Sequence, residues 1–234
     1  MSKKAWIIFA TVCVLLLGSL VAYSNSKKVN VGEVDANKIQ TTSEASGNIA
    51  DHVFGKPDSK VVLVEYGDFQ CPGCGGMHPT VKSVTEKYKG QLTFVFRNFP
   101  LTQIHPNALV AAAAAEAAGL QGKYWEMHNA LFEKQDAWKS ASVKNRIDVF
   151  TQYAKALNLD VNKFGTDIAS ESVTKKINYD LAIGKKINVS STPTFVLNGK
   201  MLTQDEWGDP AKFEALIVAQ LKQNGIALPG DTKE

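Results

Sequence analysis

The sequence predicts an α/β domain divided in two by a helical insertion and preceded by an apolar N-terminal helix. Three observations predict it. A nearly continuous apolar run, Val61 to Tyr66, is followed by helix signals and then by a second strand pattern at 91–96. Roughly eighty residues of helical pattern, approximately 104–187, interrupt that order before strand residues resume at Thr194. Residues 5–23 carry no charge at all.

The N-terminal run AWIIFATVCVLLLGSLVAY follows Lys3 and Lys4. As a helix it covers about 28 Å, close to the roughly 30 Å hydrocarbon core of a bilayer. Residues 1–23 are therefore expected to form a single-pass membrane anchor. The alternative is a signal peptide cleaved near Ala22 and Ser24, which would leave a secreted or periplasmic domain. Lys3 and Lys4 are matched by Lys27 and Lys28 across the run, so charge barely sets its orientation. The short N-terminal flank and the redox chemistry below place the domain outside the cytoplasm. Cys13 reads as a small apolar filler. Residues 24–47 are rich in Ser, Thr, Asn, Lys and Glu without apolar period, and read as a flexible linker of about 25–30 Å.

The domain proper is expected over 48–230. Ile49 to Phe54 reads as a first edge segment, and Val61 to Tyr66 as a strand buried on both faces. Helix signals run from Cys71 to about Lys89, and Leu92, Phe94 and Phe96 alternate along the next strand. Strand–helix–strand implies a parallel pair with a right-handed crossover. Helical stretches follow at Asn107–Ala118, Tyr124–Lys134, Val143–Leu157, Val161–Ala169 and Ser172–Lys186. Thr194 to Leu197 resumes a strand, Asn198-Gly199 turns it into a hairpin, and Asp209-Pro210 opens a last helix.

Apolar content of 44% and charged content of 21% suit a globular core. The net charge of +3, from 26 basic and 23 acidic side chains, is scattered, which argues against a nucleic-acid partner. With only Cys13, Cys71 and Cys74 present, there is no disulfide framework and no all-cysteine zinc site. A strand that delivers Cys71-Pro72-Gly73-Cys74 to a helix start makes a reactive thiol. Cys71 meets the unpaired N–H groups and positive end of the helix, while Cys74, one turn inside, meets fewer. Pro72 suits the first helical position, and Pro79 should kink the helix. Cys71, Cys74, Met77 and His78 also spell a possible soft-metal set, but no second ligand cluster accompanies them, so no metal is expected. His78 is expected on the helix surface, with His52, His105 and His128 isolated from one another.

C-P-G-C after an apolar strand, Pro79 in the same helix, Ser191-Thr192-Pro193-Thr194 at the start of the second half, and the flanking GDFQCPGC and FRNFPL resemble the DsbA-like branch of the thioredoxin superfamily over nearly all of 48–225. The resemblance includes the membrane-anchored bacterial members of that branch. The resemblance implies a thioredoxin fold with an inserted α-helical subdomain. It implies that Cys71 is the exposed attacking cysteine and Cys74 the buried resolving one, with a redox-active disulfide in place of any cofactor. Pro193 would be the cis-proline facing the pair, Thr192 would line the substrate groove, and Glu65 would be a buried acid moving protons to and from Cys74. The most oxidising relatives place a histidine between the cysteines. Gly73 offers no such donor, so a milder oxidant is expected.

The leading expectation is an extracytoplasmic, monomeric thiol–disulfide oxidoreductase. It would introduce disulfides into reduced exported polypeptides and be reoxidised by a membrane quinone-linked protein. The rivals are a disulfide reductase or isomerase and, in a different class, a soft-metal chaperone using the same two cysteines.

Overall fold

The computed structural model describes residues 3–26 and 29–230, and the side chains of all of these except 5, 8, 20–26, 143 and 144. Two compact units divide at Asn30/Val31. The first holds a single helix, α1 (Lys3–Ser26). Among its described side chains, Ile7, Val14, Leu15 and Leu17 are each about two-thirds exposed. Among the described residues no helix is long and apolar enough to cross a membrane. The side chains of Ala22 and Ser24, and all of Lys27 and Lys28, lie outside the described residues.

In the second unit the apolar runs become strands where both faces are covered. The first half comprises β1 (Val53–Gly55), β2 (Val62–Gly67), α2 (Pro72–Lys87) and β3 (Thr93–Asn98). The insertion follows as α3 (Ala108–Gly119), α4 (Tyr124–Glu133), α5 (Gln135–Trp138), α6 (Val143–Ala156), α7 (Val161–Ile168) and α8 (Glu171–Lys186). The second half returns with β4 (Thr194–Leu197), β5 (Lys200–Met201), α9 (Gln204–Trp207) and α10 (Pro210–Gln223). Sheet order is β1-β3-β2-β4-β5. β2 lies parallel to β3 and antiparallel to β4, so Glu65 sits between Phe96 and Phe195.

The alternation of Leu92, Phe94 and Phe96 suggested one buried face, but every residue of β3 is buried. The reason is position, since β3 runs between two strands with helices over it. Small side chains explain the insertion's tightness. Nine residues of the alanine-rich α3 are buried, which lets neighbouring helices approach closely. Caps fall where short polar residues predicted them, with Ser142 accepting from Asn145 N–H and Asp209 from Lys212 N–H. Asn198 and Gly199 both take positive φ, 46° and 82°, as the two-residue hairpin requires.

Residues 31–47 correct the linker expectation. They pack on the domain because their backbone carbonyls serve two cations, the buried Arg97 of β3 and the exposed Lys186 of α8. Arg97 Nη1 donates to the Ala36 carbonyl at 2.5 Å and Nη2 to the Lys38 carbonyl at 2.6 Å. Arg97 also pairs with Asp51 at 2.8 Å, and Lys176 bridges Asp51 at 2.9 Å and Asp180 at 2.6 Å. Burial alone would raise the Asp51 carboxyl, but Lys176 and Arg97 outweigh it and hold it at about 2. Asn98 joins Asp180 to Glu116, and Glu116 bonds His52 at 2.8 Å.

Candidate active site

β2 ends at Gly67, and the loop Asp68–Gln70 turns the chain into α2. Asp68 holds that turn from inside. Its carboxylate accepts the Gln70 N–H at 2.8 Å, the Leu101 N–H at 2.9 Å and the His105 ring nitrogen at 2.7 Å. GDFQC and FRNFPL, distant in sequence, are thereby tied together. Cys71 is the N-cap of α2 with extended backbone (φ −66°, ψ 124°), and Pro72 occupies the first helical position. Pro79 lies inside α2, which continues through it.

The Thr192–Pro193 peptide is cis and lies across the cysteine pair. The Cys71 thiol donates to the Thr192 carbonyl at 3.3 Å, and a Cβ built on Gly73 would stand 3.2 Å from Pro193 Cδ and 3.6 Å from Cys71 Sγ. Cys71 is only 7% exposed under this loop, less open than the resemblance implied, and Cys74 is 1% exposed. Cys74 Sγ accepts the Asp68 N–H at 3.5 Å. Thr192 Oγ1 is buried without a hydrogen-bond partner among the described residues.

Electrostatics separate the two thiols. A hydrogen bond from the Cys74 thiol lowers Cys71; burial works against it, but the backbone N–H groups of Cys74 and Gly73 add to it and bring it to about 5. Burial pushes Cys74 well above the ordinary thiol range, and its bond to Cys71 and the nearby Glu65 push the same way. Glu65, 3% exposed in β2, is raised to about 8 by burial and then by the charge of Cys71. Cys71, Cys74, Glu65, Pro72, Gly73, Thr192 and Pro193 thus converge at one end of the sheet.

His78 departs from expectation. It is buried rather than on the surface, stacks on Phe132 at 5.1 Å and lies 5.5 Å from the ring of His128. Burial lowers both imidazoles, His78 to about 4 and His128 to about 3. The two rings line a small cavity with Trp125 and Phe94. His52 and His105 pair with carboxylates, Glu116 and Asp68, rather than with another histidine.

Several residues that support the loop carry no sequence signal of their own. Gln135 Nε2 donates to the Phe69 carbonyl at 2.8 Å and the Cys71 carbonyl at 2.9 Å. Gln70 Nε2 donates to the Lys139 carbonyl at 2.7 Å, while its Oε1 accepts the Asn107 N–H at 2.6 Å. The one available cue was local, namely short polar residues packed against C-P-G-C in an otherwise apolar neighbourhood.

A family model described as thioredoxin matches residues 47–218. The fold resembles that of oxidised BdbD from Bacillus subtilis, with a TM-score of 0.64 and 24% identity, covering 79% of this chain and 98% of that one. It also resembles alpha-DsbA1 of Wolbachia pipientis, with a TM-score of 0.62 and 22% identity, covering 74% and 92%. Among curated sequences, the Na(+)/H(+) antiporter NhaA 3 of Salinispora tropica is 39% identical over 150 residues, 64% of this chain but 22% of that protein. The chain spans under a quarter of the length of the curated relatives it matches first, so their antiporter name describes far more protein than is shared.

Proposed function

From the premise that the chain belongs to the thioredoxin family, whose DsbA-like thiol–disulfide oxidoreductases share its fold, we propose that it is a protein dithiol oxidase working through Cys71 and Cys74. The observation that carries this is the asymmetry of the two thiols: Cys71 lowered to about 5 at a helix N-terminus, Cys74 raised beside it. In the oxidised protein a substrate thiolate attacks Sγ of Cys71, and the Cys71–Cys74 bond breaks with its electron pair going to Cys74. Glu65, whose carboxyl is kept protonated by its burial, hands a proton to that high-pKa sulfur. The substrate's second thiolate then attacks the substrate sulfur of the mixed disulfide. Cys71 leaves as thiolate, the substrate keeps the new disulfide, and two electrons have moved to the protein. A low-pKa thiolate is the better leaving group, which favours this direction.

At pH 7 a thiol titrating near 5 is about 99% ionised. Relative to an unperturbed thiol, that stabilises the dithiol form by about two powers of ten, or about 60 mV. The absence of a histidine at position 73 therefore does not leave Cys71 unactivated. Equilibration with glutathione tests the direction. A protein that stays largely as the disulfide in a reducing glutathione buffer would be a reductase, and the proposal would fall.

The domain is proposed to act outside the cytoplasm on reduced exported polypeptides, as a monomer held by residues 1–23. Support comes from the uncharged run 5–23 and the exposed Ile7, Val14, Leu15 and Leu17 of α1. Reoxidation is assigned to a membrane quinone-linked protein. Release of the protein from membranes by alkaline carbonate, without detergent, would overturn the anchor.

A further inference from the structure

Gln135 opens α5 in the helical insertion, and its amide is buried against the reactive loop. One nitrogen serves two carbonyls, those of Phe69 and Cys71, on either side of Gln70. The Cys71 carbonyl also accepts the first hydrogen bond of α2, from Gly75 N–H at 3.1 Å. Position 75 is shaped for the amide, since a Cβ there would stand 2.7 Å from Gln135 Oε1 and 2.9 Å from Nε2. The helix itself has no use for a glycine at that point, where alanine would favour it. Gly76, next along, faces open space.

We propose that Gln135 is a positioning residue for the redox pair: a crossbar from the insertion that holds the Cys71 carbonyl, and with it the thiol's orientation toward the α2 N-terminus, in a space that Gly75 keeps clear. This deepens the dithiol-oxidase reading and rests on it. Gln135 is bonded to backbone carbonyls, not to sulfur. It acts by fixing the peptide plane of the cysteine, and through it where the thiol stands against the unpaired N–H groups that open α2. The insertion then does more than cover the site, because it sets the ionisation of the cysteine that reacts.

The test uses the full-length protein in detergent. It follows Cys71 ionisation by ultraviolet thiolate absorbance and the dithiol–disulfide equilibrium with glutathione. Gln135→Met keeps the length of the side chain and removes both donors. It should shift the acid constant of Cys71 about fivefold toward the thiol, the size of one ordinary hydrogen bond, with the glutathione equilibrium following. Gly75→Ala keeps every hydrogen-bonding group but pushes the amide aside, and should shift both readouts the same way. Added to Gln135→Ala, it should change nothing further. A merely structural role predicts lower melting temperatures with the Cys71 acid constant unmoved, or fully additive effects of Gly75→Ala and Gln135→Ala. Either result overturns the proposal. If Gln135→Met does not fold, Gly75→Ala alone decides. If the wild-type Cys71 titrates as an ordinary thiol, the redox reading fails first, and that is seen before any variant is made.

Discussion

At the scale of single residues, Glu65 and Cys71 are linked to pH with opposite signs. Glu65 has a folded pKa of about 8 against 4.5 unperturbed, so its contribution to the stability of the dithiol form is whole below about 4.5 and is lost as pH rises through 8. Cys71, lowered from 9.0 to about 5, does the reverse: its contribution is present above 9.0 and is lost as pH falls through 5. Glu65→Gln removes only the first. Urea unfolding of the reduced variant should show it more stable than wild type above pH 8, by several kcal/mol at most, with the gap closing toward pH 4.5. Turnover moves the other way. Without an acid to protonate Cys74, oxidation of a reduced substrate should slow by about 100-fold at pH 7. An unchanged rate would remove Glu65 from the mechanism. Replacing Gly73 by histidine sets an imidazole beside Cys71 Sγ, where the added Cβ stands 3.6 Å away. The Cys71 pKa, read by alkylation rate against pH, should fall further.

Between elements, the reactive loop is fastened on two sides: by Asp68 to the segment after β3 and by Gln135 and Gln70 to the insertion. Asp68→Ala strands the N–H groups of Gln70 and Leu101 and should cost roughly 2 kcal/mol, measured as a lower urea midpoint with unchanged slope. The strands and most helices were legible because burial leaves a pattern: Val61–Tyr66 is apolar on both faces, and Ser142 and Asp209 are caps that chemistry demands. The cysteine pair was legible for the same reason, being chemistry written in adjacent letters. Gln135 was not, since a lone glutamine after a lysine looks like surface until α5 folds it inward. β1 shrank from the expected Ile49–Phe54 to Val53–Gly55, since pairing with β3 occupies only those three residues.

Across the whole molecule, the least legible feature is the buried ionic cluster of Arg97, Lys176, Asp51, Asp180 and Glu116. Each of its members reads singly as a solvated charge, and Lys176 with Asp180 reads as an ordinary surface i,i+4 pair. Only the tertiary structure supplies the partners that make their burial tolerable. The cluster also makes 31–47 part of the domain. Removing residues 1–30 should leave the thermal midpoint within about 2 °C of the full chain. Removing 1–47 takes two carbonyls from Arg97 and the Gln40 N–H from Asp51, and should lower the midpoint by roughly 10 °C. Equal midpoints for the two truncations would return 31–47 to the status of a linker.

The sheet is closed at its outer sides by β1 and β5, strands of three and two residues. A protein proposed to meet unfolded chains works among extended backbones that seek an open edge to pair with. Edges this short offer almost no template for such pairing. The enzyme can receive a client at its sulfur without recruiting that client, or another copy of itself, into a growing β-aggregate.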